Sequence, residues 1–216
     1  MNVLKSFNNV LILGDSYSTF EGYIPEKYEA YYSKTSKKSD LHNVADTWWY
    51  SLITETHSNL VHNNSWSGST VCYTGYGNYD CSKTNSFIFR LNELIEKGFF
   101  AENEINTVFI FGGTNDCWAN SPLGDFKYSD WVHEDLYNFF PAVCYLISRI
   151  KEVAPNAKVI YLINPYLRSE VIDGIITTCE HYSVEYIKFK SLEVVDGHPT
   201  IKGMQEIKNQ ILEAIS

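Results

Sequence analysis

A chain of 216 residues with 17 basic and 26 acidic side chains carries a formal net charge of −9, which argues against non-specific nucleic-acid binding, since that needs dense lysine and arginine to neutralise phosphates. At this length a folded chain buries roughly 70% of its unfolded surface, so a core forms without disulfides. Apolar residues make up 44% of the sequence but fall in short runs, none reaching the ~18 residues of a membrane-crossing helix.

In chain order, Val10 to Leu13 is the first predicted strand, and it ends abruptly in Gly14-Asp15-Ser16. Residues 46–57 read as a helix with Asp46 as N-cap before Trp48, Trp49, Leu52 and Ile53. Residues 59–63 are a short strand candidate. Residues 84–97 are helical, with Phe87, Ile88, Leu91, Leu94 and Ile95 on one face and Gly98 just past the end. The β-branched and aromatic run 107–111 is a strand that stops at Gly112-Gly113. A long helix is predicted over 132–153, kinked at Pro141. Strand 158–163, helix 169–181, an extended stretch 184–189 and a terminal amphipathic helix 201–215 complete the series. Strands alternating with helices imply βαβ units, hence a mostly parallel five-stranded sheet covered on both faces. We therefore expect one three-layer α/β/α sandwich domain over residues 1–216.

The remaining signals bound the setting. Five scattered cysteines, with no Cys-x-x-Cys spacing, speak for reduced thiols over a disulfide framework or structural zinc, a Cys72–Cys81 bridge being the one alternative. His42, His57 and His62 share a region but lack metal-ligand spacing, so no metal or other cofactor is expected. No Gly-x-Gly-x-x-Gly follows the first strand to mark a dinucleotide site. The basic cluster Lys34 to Lys38 lies in a Ser-rich stretch and reads as a solvated loop. Before the first strand stand one lysine and polar residues, too little for a signal-peptide core. A cytoplasmic location is the expectation, with secretion left open. Oligomeric state has no sequence signal.

Four segments carry unusual polar residues at predicted strand ends: Asp15-Ser16, Asn64-Ser65-Trp66-Ser67-Gly68-Ser69, Gly112-Gly113-Thr114-Asn115-Asp116, and Val195-Asp196-Gly197-His198-Pro199-Thr200. In a parallel sheet such loops converge at one edge, where open α/β folds place their chemistry. A serine hydroxyl is a weak nucleophile and needs a base. His198 can supply it, since imidazole titrates near neutral pH. Thr200 is a good N-cap for the last helix, so His198 lies just before a positive helix terminus that disfavours imidazolium. Asn115 offers a side-chain N–H, and Gly68 a main-chain N–H with open access, for charge developing on a carbonyl oxygen.

The set resembles the SGNH (GDSL-type) hydrolase family in Gly14-Asp15-Ser16, Gly68, Gly113-Thr114-Asn115-Asp116, and Asp196 with His198-Pro199, in the family's order over residues 14–199. The resemblance implies a flavodoxin-like sheet, Ser16 as nucleophile, His198 as base, and an oxyanion hole from the Ser16 amide, the Gly68 amide and the Asn115 side chain. Two departures stand out. Tyr17 replaces the usual leucine after the serine, and the last block has one residue between acid and histidine where the family has two. Asp196 is taken as the acid that fixes the histidine tautomer, with Glu193 or a main-chain carbonyl as alternatives. The tyrosine-rich stretches Tyr17 to Tyr32 and Tyr73 to Tyr79, with Trp66 and Trp118, either line the mouth of the site or pack large loops. The expected substrate is a small-molecule ester with a short acyl group, an acetylated carbohydrate or similar. Lysophospholipase or thioesterase activity is the alternative, and a non-catalytic binding module on the same sheet is the rival from another class.

Overall fold

Five parallel strands form the centre of the molecule in a computed structural model that describes residues 6–215. They are β1 (Asn9–Gly14), β2 (Asn59–Ser65), β3 (Thr107–Phe111), β4 (Lys158–Ile163) and β5 (Glu185–Lys188), ordered β2-β1-β3-β4-β5. This is the order of a flavodoxin-like sheet, with the direction of winding reversing between β1 and β3. Side chains alternate across it as a strand demands. Leu11, Leu13, Val108, Ile110, Tyr161 and Ile163 face one core, while Val10, Ile12, Phe109, Phe111, Ile160 and Leu162 face the other. Helices α2 (Phe87–Glu96), α5 (Phe139–Val153) and α6 (Ser169–His181) cover the first face; α1 (Trp48–Glu55) and α7 (Ile201–Ile215) cover the second. Two short helices, α3 (Phe99–Glu102) and α4 (Thr114–Trp118), flank β3 in sequence.

Most differences from the predicted elements lie at caps. Helix α1 starts at Trp48 because Thr47, not Asp46, accepts the N–H of Tyr50; Asp46 closes a separate 3-10 turn capped by Asn43. Helix α2 starts at Phe87 under a Ser86 cap, leaving Thr84 and Asn85 outside. The single helix predicted over 132–153 is a 3-10 turn, His133–Tyr137, followed by α5. Pro141 therefore falls in the first turn of α5, where its missing N–H has no intrahelical acceptor to lose, and it causes no kink. Thr200 does cap α7, accepting the N–H of Gly203 at 3.2 Å.

The segment before α7 is a hairpin, β6 (Val194–Val195) paired antiparallel with β7 (His198–Pro199). All five cysteines are free thiols, Cys72 and Cys81 included. Among the described residues no helix is long and apolar enough to cross a membrane. The lysine and polar residues at the N-terminus, except Ser6 and those after it, lie outside the described residues.

Candidate active site

The end of β1 is built so that only glycine fits at position 14. A Cβ there would stand 2.5 Å from Ser65 Oγ and 2.7 Å from the Ser18 side chain. The chain then tightens into a 3-10 turn, Ser16–Ser18, capped by Asp15, whose carboxylate accepts the N–H of Tyr17 at 3.0 Å. Ser16 sits at the first position of that turn, at the carboxyl edge of the sheet beside the switch point. Its Oγ is 3.0 Å from Nε2 of His198. Two residues 182 apart in sequence are thus in hydrogen-bond contact.

His198 arrives on the β6–β7 hairpin. Its two-residue turn is Asp196-Gly197, both with positive φ (48° and 76°), the backbone that a type I′ hairpin requires and that Asp-Gly favours. Nδ1 of His198 lies 3.1 Å from the main-chain oxygen of Asp196. A carbonyl oxygen only accepts, so Nδ1 carries the proton and Nε2 is left to accept the Ser16 hydroxyl proton. Of the three orienting groups weighed from sequence, the carbonyl occupies the place. The Asp196 carboxylate makes no hydrogen bond among the described residues, and the Glu193 carboxylate is engaged by Thr200 Oγ1 at 2.7 Å and Lys202 Nζ at 3.0 Å. Expecting the Asp196 carboxylate on Nδ1 was therefore wrong in geometry. The hairpin turn commits its main chain, not its side chain, to the ring.

Aromatic side chains hold this hairpin. Tyr17 Oη donates to the Gly197 carbonyl at 2.5 Å and in turn accepts from Asn164 Nδ2 at 3.3 Å. Tyr32 Oη donates to the Pro199 carbonyl at 2.8 Å. Tyr31 lies face to face on the imidazole, and Trp118 meets it edge-on. Tyr17, at the position where the usual pattern has leucine, is thus a strut from the Ser16 turn to the His198 hairpin. Its hydroxyl is plain from the sequence, but nothing there identifies its partner.

The donors expected for an oxyanion lie on two neighbouring loops. Gly68 has φ +77°, with open space where a Cβ would be. Its N–H and that of Ser16 donate to no acceptor among the described residues. The Gly68 loop is tied to β1, Trp66 N–H reaching the Gly14 carbonyl at 3.2 Å. Asn115, in the first turn of α4, is oriented at both ends of its amide. Its Nδ2 donates to the Ser69 carbonyl at 3.0 Å, and Oδ1 accepts from Tyr76 Oη at 2.8 Å. One Nδ2 proton remains for a ligand. The next residue, Asp116, uses its carboxylate on the N–H groups of Val71 and Cys72 at 2.9–3.1 Å, fixing the far end of the same loop.

A further strut, Arg90, had no sequence signal beyond its place in an apolar helix. It is fully buried. One amino group donates to the Gly14 carbonyl and to Ser69 Oγ, both at 3.1 Å; the other donates to the Asn64 carbonyl, and Nε to that of Asn85 at 3.0 Å. The ends of β1 and β2 and the Gly68 loop are therefore bound to one guanidinium, which also lies over the Phe87 ring.

Burial sets the electrostatics. It pushes the Asp15 carboxyl up to about 7 and that of Asp116 to about 6, against the main-chain N–H donors that favour ionisation. It lowers the Arg90 guanidinium to about 10. His198 is lowered too, first by burial, with the Asp196 carbonyl and carboxylate opposing and Lys38 adding to the depression. The ring therefore favours its neutral form at pH 7. Burial holds Tyr76 up at about 12, so its hydroxyl stays a donor to Asn115.

The basic stretch read as a solvated loop contributes to this edge. Lys37 and Lys38, with Ser39, Asp40, Asp196, His198 and Thr200, line a cavity of about 340 Å³. Trp66 is stacked on Tyr28 with centroids 4.2 Å apart, a loop-packing role. Among the described residues no cluster of His, Cys, Asp or Glu could hold a metal ion, and His62 packs against Phe99.

The profile of the GDSL-like lipase/acylhydrolase family matches residues 8–215. A solved structure from Bacteroides ovatus, assigned to the GDSL-like lipases, is 41% identical over 96% of this chain and 97% of its own, with a TM-score of 0.90. One from Bacteroides uniformis, assigned likewise, is 40% identical over 96% and 95%, with a TM-score of 0.89. A family two carbohydrate esterase from Clostridium thermocellum shares the fold at 17% identity, over 96% of this chain and 63% of that one, with a TM-score of 0.65. No curated protein matches the chain.

Proposed function

The chain belongs to the GDSL-like lipase/acylhydrolase family and is an ester hydrolase; from that premise we propose that it works through an acyl-enzyme on Ser16 with His198 as base, and that its substrate is a short-chain, acetyl-type ester of a polar alcohol such as a carbohydrate. The observation that carries the mechanism is the Ser16 Oγ to His198 Nε2 contact of 3.0 Å, with Nδ1 held on a carbonyl. As Oγ attacks the ester carbonyl, its proton passes to Nε2 and the carbonyl electron pair moves to oxygen. The Ser16 and Gly68 N–H groups and the free Nδ2 proton of Asn115 meet that oxyanion, each donor worth on the order of 3 kcal/mol of barrier. The tetrahedral species then expels the alcohol, which takes the proton from His198. Water, deprotonated by the same ring, releases the acid and restores Ser16. The base works as one half of a dyad, its tautomer fixed by a main-chain dipole.

The cavity beside His198 carries the charged side chains of Lys37, Lys38, Asp40 and Asp196 on its wall, which supports a polar alcohol over a long acyl chain. The fold shared with a carbohydrate esterase is in keeping with such an alcohol. The test is hydrolysis of p-nitrophenyl acetate, butyrate and octanoate by wild type and Ser16→Ala. Rates falling with chain length and lost in Ser16→Ala are expected. Rates rising toward octanoate would replace the acetyl reading with a lysophospholipase- or thioesterase-like one, and full activity in Ser16→Ala would remove the nucleophile.

A further inference from the structure

We propose that Tyr31 is a positioning residue for the base: its ring face, stacked on His198, holds the imidazole against Ser16 and stabilises the imidazolium formed when the serine proton arrives. This rests on the reading of His198 as base. The two ring centroids are 3.5 Å apart and the planes 5° from parallel. Neutral π systems avoid that superposed arrangement and prefer offset or edge contacts. A cation over a ring face is attracted by the ring quadrupole. The stack is therefore a poor partner for the neutral imidazole and a good one for imidazolium. Its stabilisation grows as the proton transfers, and only interactions that strengthen toward the transition state accelerate the step.

The other groups facing the ring leave this task open. Nδ1 has a carbonyl dipole where a triad has a full negative charge. The Asp196 carboxylate acts through space and without a hydrogen bond, and Lys38 opposes the cation. Tyr17 is tilted by 55° at 5.7 Å, and Trp118 presents an edge at 5.8 Å. Tyr31 is also anchored to the nucleophile. Its N–H donates to Thr19 Oγ1 at 2.9 Å, and the same hydroxyl donates to the Ser16 carbonyl at 2.9 Å. At the other end Tyr31 Oη donates to the Lys38 carbonyl at 3.3 Å, and its ring packs edge-on against Tyr32. One threonine thus sets the stacking ring and the serine turn in register.

The experiment measures the rate of Ser16 labelling by a fluorophosphonate probe as a function of pH, in wild type, Ser16→Ala, Tyr31→Phe, Tyr31→Leu and Tyr31→Met, with circular dichroism confirming the fold of each. Expected are no labelling in Ser16→Ala and wild-type behaviour in Tyr31→Phe. Tyr31→Leu should label roughly 3- to 30-fold more slowly, the range of a partly desolvated cation–π contact, and its acid-side midpoint should move to lower pH. Tyr31→Met, unbranched and without a π face, repeats the test should the leucine variant not fold. Wild-type rate and midpoint in the folded leucine or methionine variant would overturn the proposal while the dyad stood. So would Tyr31→Phe falling as far as Tyr31→Leu, since the hydroxyl would then be the operative group. Labelling of Ser16→Ala at the wild-type rate would instead remove the dyad, and the proposal with it.

Discussion

Asp196 stands two residues before the histidine, yet its carbonyl, not its carboxylate, meets the ring at 3.1 Å. A substitution that keeps the turn should therefore keep the His198 ring in place. Asparagine tolerates positive φ and is favoured at the first central position of a type I′ turn. Asp196→Asn is expected to retain esterase activity within about threefold, because only the through-space attraction for imidazolium is lost, an exposed-charge effect of well under 1 kcal/mol. Gly197→Ala is the contrasting case. Its φ is +76° and a Cβ would stand 2.9 Å from the Trp118 ring, so the hairpin must shift and Nε2 with it. A loss of tenfold or more in kcat is expected from a 1 Å misplacement. If Asp196→Asn proved as damaging as Gly197→Ala, the carboxylate would be the orienting group after all. At this scale the sequence made legible that Ser16, His198, Asn115 and Gly68 gather at one sheet edge, since each lies in a motif at a strand end. It hid Tyr31 and Tyr17, whose tasks consist of contacts made by folding, and it misassigned Asp196, because an acid near a histidine suggests a triad while Asp-Gly equally spells a hairpin.

At the scale of elements, strong periodicity was decisive. Strands β3 and β4 and helices α6 and α7 have the bounds their apolar patterns predict, since runs such as Thr107–Phe111 are buried throughout and admit no other reading. Helix starts were less legible, because Asp46 and Thr47, or Thr84 and Ser86, are all capping residue types, and only the observed bond selects one. The two-residue strands β6 and β7 were too short for any pattern. The element that matters most beyond prediction is α2, through Arg90. That guanidinium ties the ends of β1 and β2 to the Gly68 loop, and neither strand carries a lysine or arginine to take its place. Arg90→Met should leave several buried acceptors unpaired, at about 1–3 kcal/mol each. A fall of at least ~3 kcal/mol in urea unfolding is expected, with kcat reduced at temperatures where the variant is folded. Wild-type stability in that variant would show that the strand ends are held without it.

Across the whole molecule, two buried carboxyls, Asp15 and Asp116, make stability fall as pH rises, while activity is expected to follow His198 in the opposite sense. Asp15 and Asp116 titrate near 7 and 6 in the folded protein, well above the ordinary carboxyl value of about 3.9 in an unfolded chain. Between those limits the folded state binds more protons than the unfolded state, so stability falls as pH rises. The contribution is complete at pH values below the unfolded carboxyl range and is lost as pH climbs through about 6 and 7. A tenfold difference in proton affinity between folded and unfolded chains corresponds to roughly 1.4 kcal/mol. Each kcal/mol lost lowers Tm by about 2–4 °C in a protein of this size, so Tm should fall by several degrees between pH 5 and pH 8. Esterase activity should do the reverse on the acid side, declining only below the depressed pKa of His198, whose neutral form is the base in the proposed mechanism. Thermal melts from pH 4.5 to 8.5 on wild type and Asp15→Asn check the linkage. The asparagine variant, neutral at every pH, should show a shallower slope. Equal slopes in the two proteins would place the sensitivity elsewhere, and a Tm that climbs with pH in wild type would contradict the neutral carboxyls outright. With both carboxyls as assigned, stability is greatest below the range in which they ionise, while activity is expected only above the pH at which His198 gives up its proton.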